Sequence, residues 1–427
     1  MNTKTKIALI LAVSFLLLIK FKDKIRNAVI KKSIKDTEPN LEPTEPKKRD
    51  VQNEGLSSLV KEINPELKVG VFYGGRIKFD EIGQLKSDQS ENQIVTNIIK
   101  SEYNIIQINA APPVIWYDKG LDSKGNYKMY FGVLDDYVNF ANNNGIDVMF
   151  ACGLGGTNPT YTPNWIQNGN YNPQQLSEFL DIWFTTILNR YKGRVKYAIV
   201  SSEAILGIKD GQFIFDTRER TTPTPLKNIW LNLGWYKGKK HTFPKYLIDI
   251  FKISTEIGGY EFIYNENSNS MVKSRNGLAT YELILALREE GLRVDGVGMQ
   301  LHCTLKNGIL YEEFDSFPFD FDSFEEMIKI YDKSDIDVFI TEFDINILNP
   351  NPTQQELEAQ AYYFAKVLEV ALQNSRVKAF ITFGTSDKIS NHITQYVGHK
   401  TYPYLFDENY NPKPAFKEMK KTLSKYL

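Results

Sequence analysis

From about residue 64 onward, short apolar runs recur along the chain with amphipathic stretches between them. KVGVFYG (68–74), NIIQINA (104–110), DVMFACG (147–153), VKYAIVSSE (195–203), EFIYNEN (261–267), VDGVGMQLHC (294–303), DVFITEFDI (337–345) and VKAFITFGT (377–385) are rich in β-branched and aromatic residues and predict strands. In the gaps, apolar residues return at spacings of three and four. YVNFANNNG ends on a glycine suited to a helix C-terminus, YELILALREEGL is amphipathic, and ELEAQAYYFAKVLEVALQN is the longest such pattern. Strands alternating with helices imply an α/β protein with a parallel sheet. Eight of them over more than about 250 residues predict a closed (β/α)8 TIM barrel. An open doubly wound sheet is the alternative, although no glycine-rich phosphate-binding turn follows the first strand.

The chain ahead of the first strand has a different character. Lys4 and Lys6 precede an apolar run from Ile7 to Ile19, and Lys20, Lys22, Lys24 and Arg26 follow it. Residues 1–35 therefore read as a signal or anchor segment with a basic flank, and 36–63, rich in Pro and charge, as a tether to a domain spanning 64–427. Secretion, or anchoring to the outer face of the membrane, is the expectation. The positive-inside tendency of the basic flank opposes it, but long downstream domains often override flanking charge.

Composition adds exclusions. The 427 residues are 42% hydrophobic and 24% charged with a formal charge of -1, which suits a soluble globular domain and gives no reason to expect nucleic acid as a partner. Cys152 and Cys303 are the only cysteines, too few for a disulfide framework or a Cys-rich zinc site, and are expected as free thiols. No cofactor or metal is implied.

Candidate chemistry begins with VFITEFDINI (338–347), an apolar stretch that carries Glu342 and Asp344. Alternation puts positions 340, 342 and 344 on one face, and a buried strand does not accept two carboxylates there without a reason. Glu203 closes the fourth predicted strand as Glu342 lies near the end of the seventh. In a barrel of this kind reactive residues sit at the C-terminal strand ends, so the two carboxylates can face each other across the mouth. Two such groups are what glycosidic cleavage requires. His302, at the end of the sixth strand, is placed to hydrogen-bond Glu342 and keep it ionised, as suits a nucleophile. Glu203, against Gln300 and its partner's charge, is expected to hold its proton and act as the acid.

These segments resemble glycoside hydrolase family 10, the retaining β-1,4-xylanases, from about residue 68 to the C-terminus. RYKGRVKYAIVSSEA is similar to the family's segment ending in Asn-Glu with the acid/base, which implies that role for Glu203. VDGVGMQLH matches the strand Asp-Gly-(Ile/Val)-Gly-x-Gln-x-His through Asp295, Gln300 and His302, and VFITEFDI the strand whose Thr-Glu-x-Asp carries the nucleophile, implying Glu342. FITFGTSDKIS and YLFDENYNPKPAF resemble the eighth-strand and closing segments, and IYNENSN, through Asn265 and Glu266, the fifth-strand Asn-Asp element. The resemblance implies a metal-independent, retaining endo-hydrolase of a polysaccharide, foremost xylan. Departures cluster where sugar would bind: Ser202 replaces the Asn before the acid/base, AAPPVIW retains only Trp116 of a polar second-strand motif, Cys152 stands at a sugar-binding histidine position, and Phe383 and Asn391 replace two tryptophans. Ser202, Asn265, Trp116, Trp165 and Phe383 are the candidate sugar contacts. Trp230 and Trp235, in the long stretch after the fourth strand, are expected either to rebuild a platform or to pack that loop. The alternatives are a barrel that binds carbohydrate with weakened catalysis, or a hydrolase of another β-glucan or of mannan.

Overall fold

A computed structural model of the protein describes residues 51–73, 89–111, 116, 118–155, 162–218, 228–388 and 397–427. Eight parallel strands form the barrel: β1 (Lys68–Phe72), β2 (Ile105–Asn109), β3 (Asp147–Gly155), β4 (Tyr197–Ser202), β5 (Glu261–Glu266), β6 (Gly296–Met299), β7 (Asp337–Ile347) and β8 (Val377–Thr382). Each pairs with the next, β8 returns to β1 with Lys68 opposite Ala379, and the ring is closed. This is the (β/α)8 barrel that the pattern predicts, and every predicted strand is present.

Helices fill the crossovers: α1 (Leu56–Ile63) before the barrel, then α2 (Gln89–Glu102), α3 (Gly132–Asn143), α4 (Pro173–Tyr191), α5 (Lys245–Ile257), α6 (Gly277–Glu289), α7 (Phe321–Lys333), α8 (Gln354–Gln373), and α9 (Pro414–Leu423) after β8. Their starts are chemically marked. Asn172 and Gln175 form a capping box at α4, with Pro173 in its first turn, and Thr353 and Glu356 form another at α8. Inside the barrel, Ile105, Met149, Tyr197, Ile199, Ile263, Phe339, Ala379 and Ile381 fill the interior, so the barrel is packed below its mouth rather than hollow.

Three features depart from the sequence reading. The tether was expected to run to residue 63, but α1 buries Leu56, Leu59 and Val60, and the Leu56 amide donates to Glu102 at 2.9 Å. The folded unit thus includes residues 51–63; the amphipathic LSSLVKEI is masked by the charged, Pro-rich sequence before it. The run 294–303 is two strands. Leu301 at φ 59° breaks it, and His302–Lys306 continues alongside the far end of β7 before folding back on Ile309–Glu312. Two further hairpins, 205–215 and 235–244, follow β4. Third, alternation fails within β7. Phe339 faces the barrel interior and Ile340 the outer core, but the register slips between Ile340 and Phe343, and Glu342 and Asp344 turn inward while Phe343 and Ile345 pack outward. Such irregularities re-aim side chains beside reactive centres. The signal or anchor segment lies outside the described residues, as do Asn391 and the side chain of Cys152; no described helix is long and apolar enough to cross a membrane. Cys303 is a free, buried thiol.

Candidate active site

Glu342 is held from two directions at the end of β7. One carboxylate oxygen accepts from the Asn265 amide at 2.9 Å and the other meets His302 Nε2 at 3.1 Å. Thr341 fixes the amide's orientation by donating to the Asn265 carbonyl oxygen at 2.7 Å, leaving the NH2 group to face Glu342. Gly298 makes room for this, since a Cβ there would overlap the Asn265 side chain.

His302 stands between two acids. Its Nδ1 lies 3.1 Å from Asp344, which has no exposed surface and also accepts from Asn346 at 3.0 Å. Burial alone would push the imidazole down, but the Asp344 charge and the hydrogen bonds to Asp344 and Glu342 outweigh it, and its pKa is raised well above the ordinary histidine value. Ionised carboxylates only accept, so a ring with one on each side is satisfied as a cation that donates twice.

Glu203 follows β4 with a left-handed φ of 54°. Its carboxylate accepts from Gln300 at 2.9 Å, and its amide donates to the Asn265 carbonyl at 3.0 Å. Gln300 also accepts the Glu342 amide on its backbone carbonyl, at 3.1 Å. Asn265 and Gln300 therefore each touch both glutamates, one through a side chain and one through the backbone. Glu203, Gln300, His302, Asn265 and Glu342 thus form one connected group at the C-terminal ends of β4 to β7.

The other candidates separate into near and far. Phe383 stacks on Phe72 at 5.0 Å and meets the His302 ring edge-on at 4.8 Å, so it walls the site on the β8 side. Ser202 is buried one residue before Glu203, in register with Asn265. Trp116 is a correction: it has no exposed surface and packs against Tyr127, Trp165 and Phe179, so it offers no face to a sugar. Trp165 belongs to the same cluster but is half-buried, donating its indole N–H to the Trp116 carbonyl at 3.0 Å with Tyr127 stacked on it. Trp230 is likewise buried and bonded to Thr162, whereas Trp235 is 53% exposed. Asp295 is structural, its carboxylate accepting the Phe262 amide at 2.7 Å ahead of β6. Sequence reasoning passed over Thr341 and Tyr264, the second of which hydrogen-bonds Glu266 at 2.6 Å. Their signal, a hydroxyl residue within a buried apolar strand, is common enough to be uninformative without the fold.

A closed (β/α)8 barrel with two carboxylates joined in one network at its C-terminal face defines a glycoside hydrolase scaffold. The model of "Glycosyl hydrolase family 10" matches residues 76–422, and the chain belongs to that family. It is 25% identical over 267 residues to endo-1,4-beta-xylanase B of Thermotoga neapolitana, covering 62% of this chain and 67% of that one. It is 27% identical over 307 residues to the beta-1,4-xylanase of Dictyoglomus thermophilum, covering 69% and 76%. It spans 29% of endo-1,4-beta-xylanase B of Neocallimastix patriciarum, at 23% identity over 296 residues. Among solved structures, xylanase 10B of Thermotoga petrophila RKU-1 in complex with xylobiose superposes with a TM-score of 0.68 at 23% identity, over 87% of this chain and 98% of that one.

Proposed function

We propose that the protein is a retaining endo-hydrolase of β-1,4-linked polysaccharide, with xylan as its substrate. The observation that carries this reading is the shared network: Glu203 and Glu342 are bound to the same two residues, Asn265 and Gln300, with His302 bonded to Glu342. In the first step Glu342 attacks the anomeric carbon as the glycosidic C–O bond breaks, and Glu203 gives its proton to the departing oxygen. In the second, Glu203 takes a proton from water, the water oxygen bonds to the anomeric carbon, and Glu342 leaves as a carboxylate. His302 orients the attacking carboxylate through its Nε2 contact. Double displacement needs the carboxyl groups about 5–5.5 Å apart and yields products of retained configuration.

The names of the relatives support xylan. Export supplies the enzyme to such a polymer, and the basic and apolar pattern of residues 4–26 supports it. The test is reducing-sugar release from xylan, mannan and mixed-linkage glucan, with the anomer of the first product resolved by NMR. Release from xylan with retention is expected, and inversion overturns the mechanism. The burial of Trp116 and the presence of Phe383 and Ser202 at sugar-contact positions favour a second reading, a carbohydrate-binding barrel with weakened catalysis. A fluoroglycoside that labels Glu342 excludes it, and measurable xylan affinity without labelling establishes it.

A further inference from the structure

The turn that presents Glu203 is held by two buried side chains that the mechanism above leaves unused. A left-handed non-glycine residue costs roughly 1–2 kcal/mol and persists only where its surroundings impose it. Here three successive amides of the turn are all bound by β5. Glu203 N–H donates to the Asn265 carbonyl at 3.0 Å, Ala204 N–H to the Tyr264 hydroxyl at 3.0 Å, and Ile205 N–H to Glu266 Oε2 at 3.4 Å. The Tyr264 hydroxyl in turn donates to the same Glu266 oxygen at 2.6 Å, and Glu266 Oε1 accepts the Asn267 amide at 3.0 Å. Tyr264 and Glu266 are both 0% exposed, so neither can touch a sugar.

Buried carboxyl groups are costly, and packing alone does not call for one beside a reactive carboxylate. We propose that Tyr264 and Glu266 are positioning residues that lock the Glu203 turn in the conformation from which its carboxyl reaches the departing oxygen. The proposal rests on Glu203 being the acid/base. Burial, and then the nearby Glu203 charge, push Glu266 up to about 8 against the opposing hydrogen bonds from Tyr264 and the amides.

Tyr264→Phe removes one oxygen and leaves the ring volume intact; Glu266→Gln alters the acceptor directly. Each is assayed on an aryl xyloside with a strongly acidic phenol as leaving group and on a xylo-oligosaccharide, whose departing alcohol needs the proton. General acids contribute about 10²–10⁴-fold, so a displaced one should cost the oligosaccharide about 10–100-fold in kcat/KM, which reports the first step alone. The activated aryl substrate, whose leaving group needs no proton in that step, should lose less than about threefold in kcat/KM. The limb of the oligosaccharide pH profile that reports the acid should also move. Equal losses on both substrates would show a merely structural role and overturn the proposal, as would no loss on either. Should Glu266→Gln fail to fold, Tyr264→Phe decides alone. A wild-type protein inactive on both substrates would instead remove the hydrolase reading, and this proposal with it.

Discussion

The two sides of the barrel mouth are built from different materials. Where β5, β6 and β7 meet, Asn265, Gln300, His302, Thr341, Glu342 and Asp344 are joined by hydrogen bonds of 2.7 to 3.1 Å, and each polar group is answered by another. Toward β8, β1 and β2, aromatic pairs dominate: Phe72 on Phe383, and Trp116 among Tyr127, Trp165 and Phe179. Gln300, His302, Thr341, Glu342 and Asp344 of the polar side match the motifs of the resemblance, whereas Phe383 of the aromatic side departs from them. The two tolerate change differently. Removing one member of a buried polar network strands its partners at about 1–3 kcal/mol each, more if charged, whereas one ring can replace another at small cost. Charge-bearing groups are therefore the costlier ones to change.

The sharpest way to break this comparison is to delete the reactive acids. Glu342→Ala should reduce turnover on every glycoside to background. Glu203→Ala should cost about 10²–10⁴-fold in kcat/KM on xylo-oligosaccharides yet spare kcat/KM on substrates with good leaving groups. Steady-state kinetics on both substrate types checks it, and equal loss in the two variants would reverse or void the roles.

A smaller effect concerns the cost of the polar side. Glu312, on the strand that folds back from His302–Lys306, is buried, and burial foremost, with Asp315 repelling it, pushes its carboxyl up to about 7 against hydrogen bonds from Ser270 and Ser274. A carboxyl with a raised folded-state pKa keeps its proton longer in the native than in the unfolded chain. Stability should therefore fall as pH rises from about 4.5, the loss being complete only above the folded value. Glu312→Gln should remove this slope and stabilise the protein at pH 8 relative to pH 5 by ~1–3 kcal/mol. Urea unfolding at both pH values reads it, and parallel pH dependence in the two proteins would contradict it.

The smallest effect tests one departure from the motifs, beside the polar network. Ser202→Asn restores the family's residue before the acid/base, and one added hydrogen bond to sugar, about 0.5–1.5 kcal/mol, should raise kcat/KM on xylo-oligosaccharides roughly two- to tenfold. No gain would mean that the sugar sits differently here.

How much of this was legible beforehand follows the same division. Strand runs and helix spacing are set by burial, which the pattern of apolar residues encodes directly, so the barrel and the placement of Glu203 and Glu342 could be read from the chain. Gln300 and His302 were found because they close a strand next to Glu342. The inward turn of Glu342 depends on a register slip in β7, and alternation alone grouped it with Ile340, which faces the outer core. Trp116 misled because an indole that stacks on sugar and one that packs on other rings have the same letter. Thr341 and Tyr264 act through partners more than 50 residues away in sequence, a relation that only the closed sheet creates.

The α1 attachment has a practical consequence. Glu102 receives the Leu56 amide and pairs with Lys420 at 3.3 Å, and Lys420, 2% exposed, also donates to the Gln52 carbonyl. The segment just ahead of the barrel and the chain's last helix are thus stitched to one acidic side chain, like two ends of a strap drawn through one buckle. A recombinant barrel begun at Asn64 would open that buckle, bare the apolar floor beneath Leu59 and Val60, and leave a nearly sealed lysine beside a carboxylate stripped of its second partner; material for crystallisation or assay should start upstream of Val51.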